Sequence, residues 1–421
     1  MVMLARYAAF LLYVAALGAV ADDAPPDVPR AAPESVGLSS DKLGAIRPWM
    51  EERIASGKVP GMVTMVARQG KVVHLASAGT LDLEAGTEVQ DDSLFRIYSM
   101  TKPITSAGLM VLYDEGRFEL SDPVAKYIPE LGDVTVWTAA GEVPLERPMT
   151  IADLLRHTAG FTYGFFGNTP VDQLYRERNV LGQRDLKSMV GVLSELPLLY
   201  QPGTRWHYGV ATDVTGHLIE RISGKPLNEF LEERIFRPLG MDDTGFAVPD
   251  AKLSRFGTNH QPDPGSQRLT VVEAPRPSEG RPNPGFVGDV TLFQGGGGLV
   301  STAADYMRFC LMLTGDGALD GTRILNAGTV DLMRSDQLPE DAPGVFGGAM
   351  RFGYGFAIVG KDGGGRAVGS PGSYWWFGVA GTQFWIDPVE DLVGIMLIQV
   401  RGNREPLINE FAERVYAALG E

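Results

Sequence analysis

Strand-forming segments stand at both ends of this chain, and a long stretch of different character lies between them. Residues 63–67 and 72–76 are apolar and β-branched, and Arg68-Gln69-Gly70-Lys71 between them has the composition of a hairpin turn. Near the other end, strand patterns return at residues 355–359, 382–386 and 392–400. Strands this close in sequence pair through short turns and therefore run antiparallel. The chain must build one sheet from both of its ends and insert its middle into that fold.

Helical periodicity accounts for the other regular segments. Ser39 or Ser40 can cap a first helix, and a closing helix carries apolar residues on one stripe from Leu407 to Leu419. Between about residues 99 and 338 the pattern is of helices joined by loops that contain Gly and Pro. We therefore predict an α+β fold, in which a largely antiparallel sheet has the first and last helices on one face and a mostly helical region is inserted.

The chain length limits the number of domains. At 421 residues it exceeds the usual size of a single core, so we expect one large composite domain or two joined regions. We place the domain at residues 38–420, with an α/β part at 38–98 and 340–420 and a mostly helical part at 99–339. No internal repeat or low-complexity segment divides the sequence further.

The first 37 residues are predicted to form a signal peptide and a linker. Arg6 precedes an apolar stretch from Tyr7 to Val20, and Ala19-Val20-Ala21 has the small residues of a cleavage site. The alternative is a membrane anchor, but the stretch is shorter than the roughly 20 residues that a spanning helix needs. We predict cleavage of residues 1–21, a linker at 22–37, and an exported protein, periplasmic or secreted, without stable membrane association.

Several function classes lack their motifs in this sequence. The net charge of −15 disfavours a nucleic-acid partner, which needs basic patches. The sequence has no His-Glu-x-x-His, no Cys-x-x-Cys and no phosphate-binding glycine loop, so we predict neither a metal nor a cofactor. Cys310, its one cysteine, is expected to be a small buried hydrophobe. Gly-x-Ser-x-Gly is also missing, so a serine hydrolase here would not use the nucleophile elbow of α/β-hydrolases.

The pattern Ser-x-x-Lys occurs twice, and its second copy has the surroundings of a catalytic site. The first copy, Ser39 to Lys42, is explained by helix capping. In the second copy, Ser99 to Lys102, the next residue is Pro103, which is tolerated in the first turn of a helix and places a helix start near Ser99. There the Ser99 N–H is free to face an oxyanion, and Lys102 projects from the same side as the Ser99 hydroxyl.

A second segment, residues 202–210, contains His207 and Tyr208 after a Pro-Gly turn. A tyrosine in this place can reach back to Ser99 and exchange a proton with it. His207 is the rival base, and adjacent side chains of an extended segment face opposite ways, so only one of the two can enter the site. Tyr208 can equally be one of 13 tyrosines that fill space in the core. The residues alone leave these alternatives open.

A third segment, residues 372–382, is aromatic at its centre and rich in small residues after it. The small residues around Gly378 allow a substrate to lie against the strand, where a backbone N–H can be the second oxyanion donor. The alternative is an aromatic edge strand without a catalytic role.

Taken in order, the three segments resemble the serine β-lactamase and penicillin-binding-protein superfamily, and more closely its class C branch and the family VIII carboxylesterases. The likeness covers residues 37–420 and includes the runs at 154–160, 236–241 and 295–305. It implies an α/β/α sandwich with helices on both faces of the sheet. It also implies that Ser99 is the nucleophile, Lys102 its proton acceptor or relay, and Tyr208 the base. The resemblance further implies that the backbone N–H groups of Ser99 and Val379 form the oxyanion hole.

Two departures from the class C pattern bear on the substrate. Where class C β-lactamases have Tyr-x-Asn, this chain has Tyr208-Gly209-Val210, so the amide-binding asparagine is missing. Where they carry Lys-Thr-Gly, this chain has Trp376-Phe377-Gly378, which removes the cation that would meet a substrate carboxylate. The tryptophan is similar to the Trp-x-Gly variant of family VIII esterases, although Phe377 is bulkier than the small residue expected there.

The predicted activity is hydrolysis of small carboxylic esters, with short-chain or aromatic groups. A neutral aromatic pocket suits such substrates, and the residues expected to form it are Phe161, Tyr163, Phe165, Tyr374, Trp376, Phe377 and Gly378. The alternatives are a β-lactamase or D,D-peptidase, which the two departures weaken, and a non-catalytic binding or assembly protein, which the presence of Ser99, Lys102 and Tyr208 together disfavours. His157 and His260 are expected to be structural, and Arg96 and Asp305 receive no role.

Overall fold

The computed structural model describes residues 28–274, 285–345, 348, 350–361, 368–402 and 406–420. The α-helices within them are α1 (Ser40–Leu43), α2 (Ile46–Ala55), α3 (Thr101–Asp114), α4 (Ile151–Leu155), α5 (Pro170–Glu177), α6 (Leu186–Leu193), α7 (Ala211–Ser223), α8 (Leu227–Leu231), α9 (Arg237–Leu239), α10 (Ala303–Thr314), α11 (Ala327–Arg334) and α12 (Leu407–Ala417). The strands are β1 (Gly61–Arg68), β2 (Lys71–Asp82), β3 (Thr87–Glu88), β4 (Phe95–Arg96), β5 (Val136–Thr138), β6 (Gly141–Val143), β7 (Asn259–Pro262), β8 (Leu269–Glu273), β9 (Val300–Ser301), β10 (Ala318–Leu319), β11 (Thr322–Arg323), β12 (Arg351–Phe352), β13 (Ala357–Ile358), β14 (Tyr374–Phe377), β15 (Gln383–Asp387) and β16 (Leu392–Leu397).

One eight-stranded sheet joins the two ends of the chain. Its strand order is β12-β13-β14-β15-β16-β1-β2-β3, and all of its pairs are antiparallel. The junction is the pair β1–β16, in which Val63 lies opposite Leu397. The predicted sheet built from both ends is therefore confirmed, and the helical region leaves it after β3 and returns at β12.

The hairpin between β1 and β2 follows from its turn residues. Gln69 and Gly70 both have positive φ, 52° and 71°, as the two-residue hairpin turn that matches strand twist requires. The turn fixes the register, which pairs Arg68 with Lys71. The predicted hairpin is confirmed.

Helices cover both faces of the sheet, as neighbouring residues of β15 illustrate. Phe384 points to one face and lies 5.0 Å, ring to ring, from Tyr306 of α10. Trp385 points to the other face and contacts Phe411 of α12 at 5.4 Å. On β16, a Cβ at Gly394 would overlap the Trp385 ring, so glycine makes room for this tryptophan. The α/β/α arrangement is confirmed.

The N-terminal segment differs in part from its prediction. Residues 1–21, predicted as a signal peptide, and 22–27 of the predicted linker lie outside the described residues. From residue 28 the chain is held against β2, because Val72 N–H donates to the Pro29 carbonyl at 2.7 Å and the Val72 carbonyl accepts from Ala31 N–H at 3.0 Å. This part is packed rather than a free linker. Among the described residues, no helix combines the length and hydropathy that crossing a membrane requires.

Candidate active site

The turn between β4 and α3 carries Ser99. A 3₁₀ turn spans Tyr98–Met100 and α3 begins at Thr101, so Ser99 lies two residues before the helix, close to the predicted start. Pro103 sits in the first turn of α3, where a missing N–H costs no hydrogen bond. Lys102, one residue before it, belongs to the part of the helix that is buried on all sides, from Thr101 to Leu112, and is 1% exposed.

The Lys102 amine is the centre of the site. Its Nζ donates to Ser99 Oγ at 3.2 Å, to Tyr163 Oη at 2.7 Å and to the Gly296 carbonyl oxygen at 2.6 Å, which uses all three hydrogens of the ammonium group. The same amine lies 4.6 Å from the centre of the Tyr208 ring. Three segments that are distant in sequence therefore meet around one buried amine.

Tyr163 has a closer connection to Lys102 than was expected. It was predicted to line the pocket, whereas its hydroxyl is hydrogen-bonded to the lysine. Burial raises the pKa of the Tyr163 phenol, and the nearby Tyr208 and Asp213 raise it further. Tyr163 therefore stays a neutral phenol, which can hold the amine but is a poor proton acceptor. It lies in the loop between α4 and α5, and no local sequence pattern reports the path of that loop.

Tyr208 faces the lysine and His207 faces away. The Tyr208 ring contacts Trp376 below it at 5.4 Å and Trp206 at 5.9 Å, whereas the His207 ring lies against Tyr200 at 5.2 Å. The Tyr208 hydroxyl has no hydrogen-bond partner among the described residues, so it is free for a substrate or a water molecule. The geometry thus favours Tyr208 over its rival His207.

His157 lies under the Tyr208 ring, with its own ring centre 5.1 Å away. Burial lowers the pKa of His157 well below its ordinary value, and the positive charge of Lys102 lowers it further. A neutral imidazole packed between aromatic rings agrees with the structural role predicted for it.

Asp213 is a buried carboxylate that the sequence analysis did not single out. It is 2% exposed, and its Oδ1 accepts a hydrogen bond from the Gly296 N–H at 2.9 Å. The carbonyl oxygen of the same glycine accepts a hydrogen bond from Lys102 Nζ. Burial raises the pKa of Asp213, although the charge of Lys102 acts in the opposite direction, and Gly296 links the two side chains through its N–H and carbonyl groups. An aspartate in the first turn of a helix is usually an exposed N-terminal acid, which hides this role in the sequence.

The end of β14 is packed against the turn of Ser99. The Thr382 hydroxyl donates to the Ile97 carbonyl at 3.2 Å, and a Cβ at Gly378 would lie 2.5 Å from that same oxygen. Only glycine permits this approach. The N–H groups of Ser99 and Val379 donate to no carbonyl among the described residues, which leaves both available to an oxyanion.

The pocket residues differ from their prediction in exposure. Phe161 and Tyr374 are each 1% exposed and Trp376 is fully buried, so these three belong to the core, and Trp376 supports Tyr208 from beneath. Phe377 points to the opposite face of β14, where it stacks on Trp375 beside a surface cleft of about 400 Å³. Its bulk therefore does not narrow the site on the Trp376 side.

Two exposed phenylalanines form the mouth of the site instead. Phe165 and Phe166 are 57% and 63% exposed. Phe165 stacks on Tyr163 at 5.1 Å and Phe166 contacts Tyr208 at 5.9 Å. The surface beside Ser99 is thus aromatic. Phe165 was predicted for this pocket, and Phe166 was not.

Asp305, which had no predicted role, lies at the start of α10. Its carboxylate accepts from Asp243 N–H and from the Thr244 hydroxyl, both at 2.8 Å. Burial raises the pKa of Asp305 to about 7. These contacts join α10 to the loop after α9, which is a structural role. No cluster of potential metal ligands was found among the described residues.

Known proteins similar to this chain identify its family. The Beta-lactamase family model matches residues 46–418. Protein Rv1367c of Mycobacterium tuberculosis is 38% identical over 360 residues, covering 82% of this chain and 86% of the relative. Esterase EstB of Burkholderia gladioli is 30% identical over 407 residues, covering 91% and 98%. The structure of EstCE1, a hydrolase with promiscuous acyltransferase activity, superposes with a TM-score of 0.77 at 24% identity, covering 90% of this chain and 99% of that one. This chain belongs to the Beta-lactamase family, in the esterase-like branch of its serine hydrolases.

Proposed function

We propose that this protein is a serine carboxylesterase that hydrolyses small short-chain or aromatic esters through an acyl-enzyme on Ser99. The observation that carries the proposal is the 3.2 Å contact between Ser99 Oγ and the buried Lys102 amine, at the floor of an aromatic site. A hydroxyl beside a buried amine at the start of a helix has both an activating partner and an oxyanion donor.

In the proposed mechanism Tyr208 is the base. As a phenolate, whose negative charge the Lys102 ammonium beside its ring stabilises, it accepts the Ser99 proton while Ser99 Oγ bonds to the ester carbonyl carbon. The carbonyl oxygen becomes an oxyanion held by the N–H groups of Ser99 and Val379. The C–O bond then breaks, the proton passes from Tyr208 to the leaving alcohol, and the acyl group remains on Ser99.

Water takes the place of the alcohol in the second half of the reaction. It loses a proton to Tyr208 and attacks the acyl carbonyl, and the same proton returns to Ser99 Oγ as the carboxylic acid leaves. Tyr163 is assigned to holding Lys102 and not to proton transfer, because burial and its neighbours keep it a neutral phenol.

The preference for esters over β-lactams rests on what lines the site. Val210 stands where class C β-lactamases have asparagine, and Trp376 where they have a lysine, so a substrate amide and carboxylate lack their partners. The exposed Phe165 and Phe166 offer apolar contact instead. A relative that is 30% identical to this chain is named Esterase EstB, which supports the preference for esters.

Two chromogenic substrates test this proposal. Purified protein is assayed with p-nitrophenyl butyrate and with a chromogenic cephalosporin, and Ser99→Ala is assayed in parallel. We expect ester turnover by the wild type and none above background by the variant. Ester turnover equal in both proteins would overturn the proposal, and a higher kcat/KM for the cephalosporin would favour the β-lactamase alternative. A folded wild type inactive on both would favour a binding protein.

We also propose that the protein is exported, on the pattern of Arg6, the apolar stretch 7–20 and Ala19-Val20-Ala21. Expression of the full chain followed by N-terminal sequencing of the exported fraction tests this. A mature terminus at Asp22 is expected, and recovery of the protein only in the cytoplasm with Met1 intact would contradict it.

A further inference from the structure

The residue before Ser99 has an unusual backbone conformation. Tyr98 has φ of 43°, in the left-handed region, where a residue with a bulky side chain is seldom found. Such a conformation costs free energy and persists only where its surroundings hold it in place. Because Tyr98 is joined directly to Ser99, any relaxation of its φ rotates the nucleophile relative to Lys102.

The Tyr98 side chain is tied to a second part of the molecule. Its hydroxyl donates to Glu273 Oε2 at 2.6 Å and accepts from Asn259 Nδ2 at 2.7 Å. Asn259 also donates to the same Glu273 oxygen at 3.0 Å, which closes a triangle of three hydrogen bonds. Asn259 and Glu273 face each other on the ribbon β7–β8, so the anchor is itself a paired structure.

Two arginines hold the carboxylate of this triangle. Arg96 is fully buried, and its Nε lies 3.4 Å from Glu273 Oε2, while its guanidinium lies over the Phe256 ring at 4.1 Å. Arg401 Nη1 pairs with the other oxygen, Oε1, at 3.0 Å. A carboxylate beside two cationic partners is a strong hydrogen-bond acceptor for a phenol. Arg96, which had no role from the sequence, belongs to this group.

The backbone around Tyr98 is fixed on both sides. Ile97 N–H donates to the Leu299 carbonyl at 3.1 Å, and Met100 N–H donates to the Ile97 carbonyl at 3.0 Å. Thr101 N–H also donates to the carbonyl oxygens of Tyr98 and Ser99. The Tyr98 phenol adds a side-chain anchor to this turn, directly before the nucleophile.

We propose that Tyr98 and Glu273 form a clamp that holds the strained backbone before Ser99 and so positions its hydroxyl for attack. Tyr98 is a positioning residue in this account, since it acts through Ser99. The inference rests on the proposed function insofar as Ser99 is the nucleophile. A misplacement of about 1 Å at a reacting group can lower the rate about a hundredfold, so loss of the clamp should act on kcat.

The test compares two tyrosine-to-phenylalanine variants. Tyr98→Phe removes the clamping hydroxyl and keeps the ring against Phe286. The matched control is Tyr416→Phe, because the Tyr416 hydroxyl also donates to a carboxylate, that of Asp387 at 2.7 Å, and accepts from an N–H group, that of Trp385 at 3.2 Å, in another part of the fold. Each protein is assayed for kcat and KM with p-nitrophenyl butyrate, for its rate of labelling by a fluorophosphonate, and for Tm.

The clamp predicts that Tyr98→Phe lowers kcat and the labelling rate by about tenfold to a hundredfold with KM unchanged, whereas Tyr416→Phe keeps wild-type kcat. Glu273→Gln, which retains an acceptor oxygen but loses the charge, should fall between Tyr98→Phe and the wild type. Tyr98→Phe with wild-type kcat and labelling rate would overturn the clamp. Folded wild-type protein that neither turns over ester nor takes the label would instead overturn the proposed function, and the clamp with it.

Discussion

Two tyrosines stand beside Lys102, and their surroundings assign them different tasks. Tyr163 is hydrogen-bonded to the amine and kept neutral by burial, whereas Tyr208 presents its ring to the amine and leaves its hydroxyl free. In the proposed mechanism the base takes and returns a proton, and the free hydroxyl of Tyr208 suits that task. Lys102 is then proposed to stabilise the charge that develops on its neighbours.

Phenylalanine substitutions separate these tasks. We expect Tyr208→Phe to lower kcat by about a thousandfold, because general-base catalysis typically contributes 10²–10⁴-fold. Tyr163→Phe removes one hydrogen bond of Lys102 and should cost about tenfold. Steady-state kinetics on p-nitrophenyl butyrate measures both. If Tyr163→Phe had a lower kcat than Tyr208→Phe, the roles assigned to the two tyrosines would have to be exchanged. If Tyr208→Phe were fully active and His207→Ala inactive, His207 would be the base.

Val379 provides a test of the oxyanion donor that separates backbone from side chain. Its side chain is 48% exposed, so Val379→Ala should retain wild-type kcat. Val379→Pro removes the N–H and should lower kcat about a hundredfold, the usual cost of one oxyanion donor. Tm, measured for both variants, checks that the fold is kept. Equal kcat values for the two variants would show that the Val379 N–H is not an oxyanion donor.

At the scale of single elements, local patterns predicted what local physics determines. The hairpin at Gln69-Gly70 follows from turn residues, and the helix start beside Ser99 follows from Pro103. The burial of Phe161 could not be predicted, since exposure of a loop residue depends on what packs over it. The same holds for Asp213, whose partner Gly296 comes from a loop 83 residues away in sequence.

The pair of strands β1 and β2 carries a pH-dependent contribution to stability. His74 on β2 is hydrogen-bonded to Thr64 of β1 at 2.9 Å, and burial lowers the pKa of His74 to about 4. Unfolded chains bind this proton below about pH 6.5, whereas the folded protein binds it only below about pH 4. Stability present above pH 6.5 is therefore lost as the pH falls towards 4.

Substitution of His74 tests this contribution. Between pH 6.5 and pH 4, His74→Gln should lose about 3 kcal/mol less unfolding free energy than the wild type, because it lacks the titrating group. Urea unfolding at several pH values measures the difference, and the other histidines are common to both proteins. If the unfolding free energies of the two proteins changed with pH in parallel, His74 would titrate alike in the folded and unfolded states, which would contradict the prediction.

At the scale of the whole molecule, the sheet explains why the site is built as it is. The two ends of the chain meet at β1–β16, and this leaves the end of β14 beside the turn that enters α3. The class of fold was predictable because strands at both ends leave few other solutions. The docking of Pro29 and Ala31 on β2 was not, since proline-containing segments look alike whether they are free or docked.

The central claim is that Ser99 carries the acyl group during turnover. Rapid acid quenching of the enzyme with p-nitrophenyl butyrate, followed by mass spectrometry of the intact protein and its peptides, tests it most directly. The account predicts one butyryl group per chain, located on Ser99, and no adduct in Ser99→Ala. A butyryl group on any other residue of a protein that still turns over the ester, or turnover by Ser99→Ala at the wild-type rate, would contradict it.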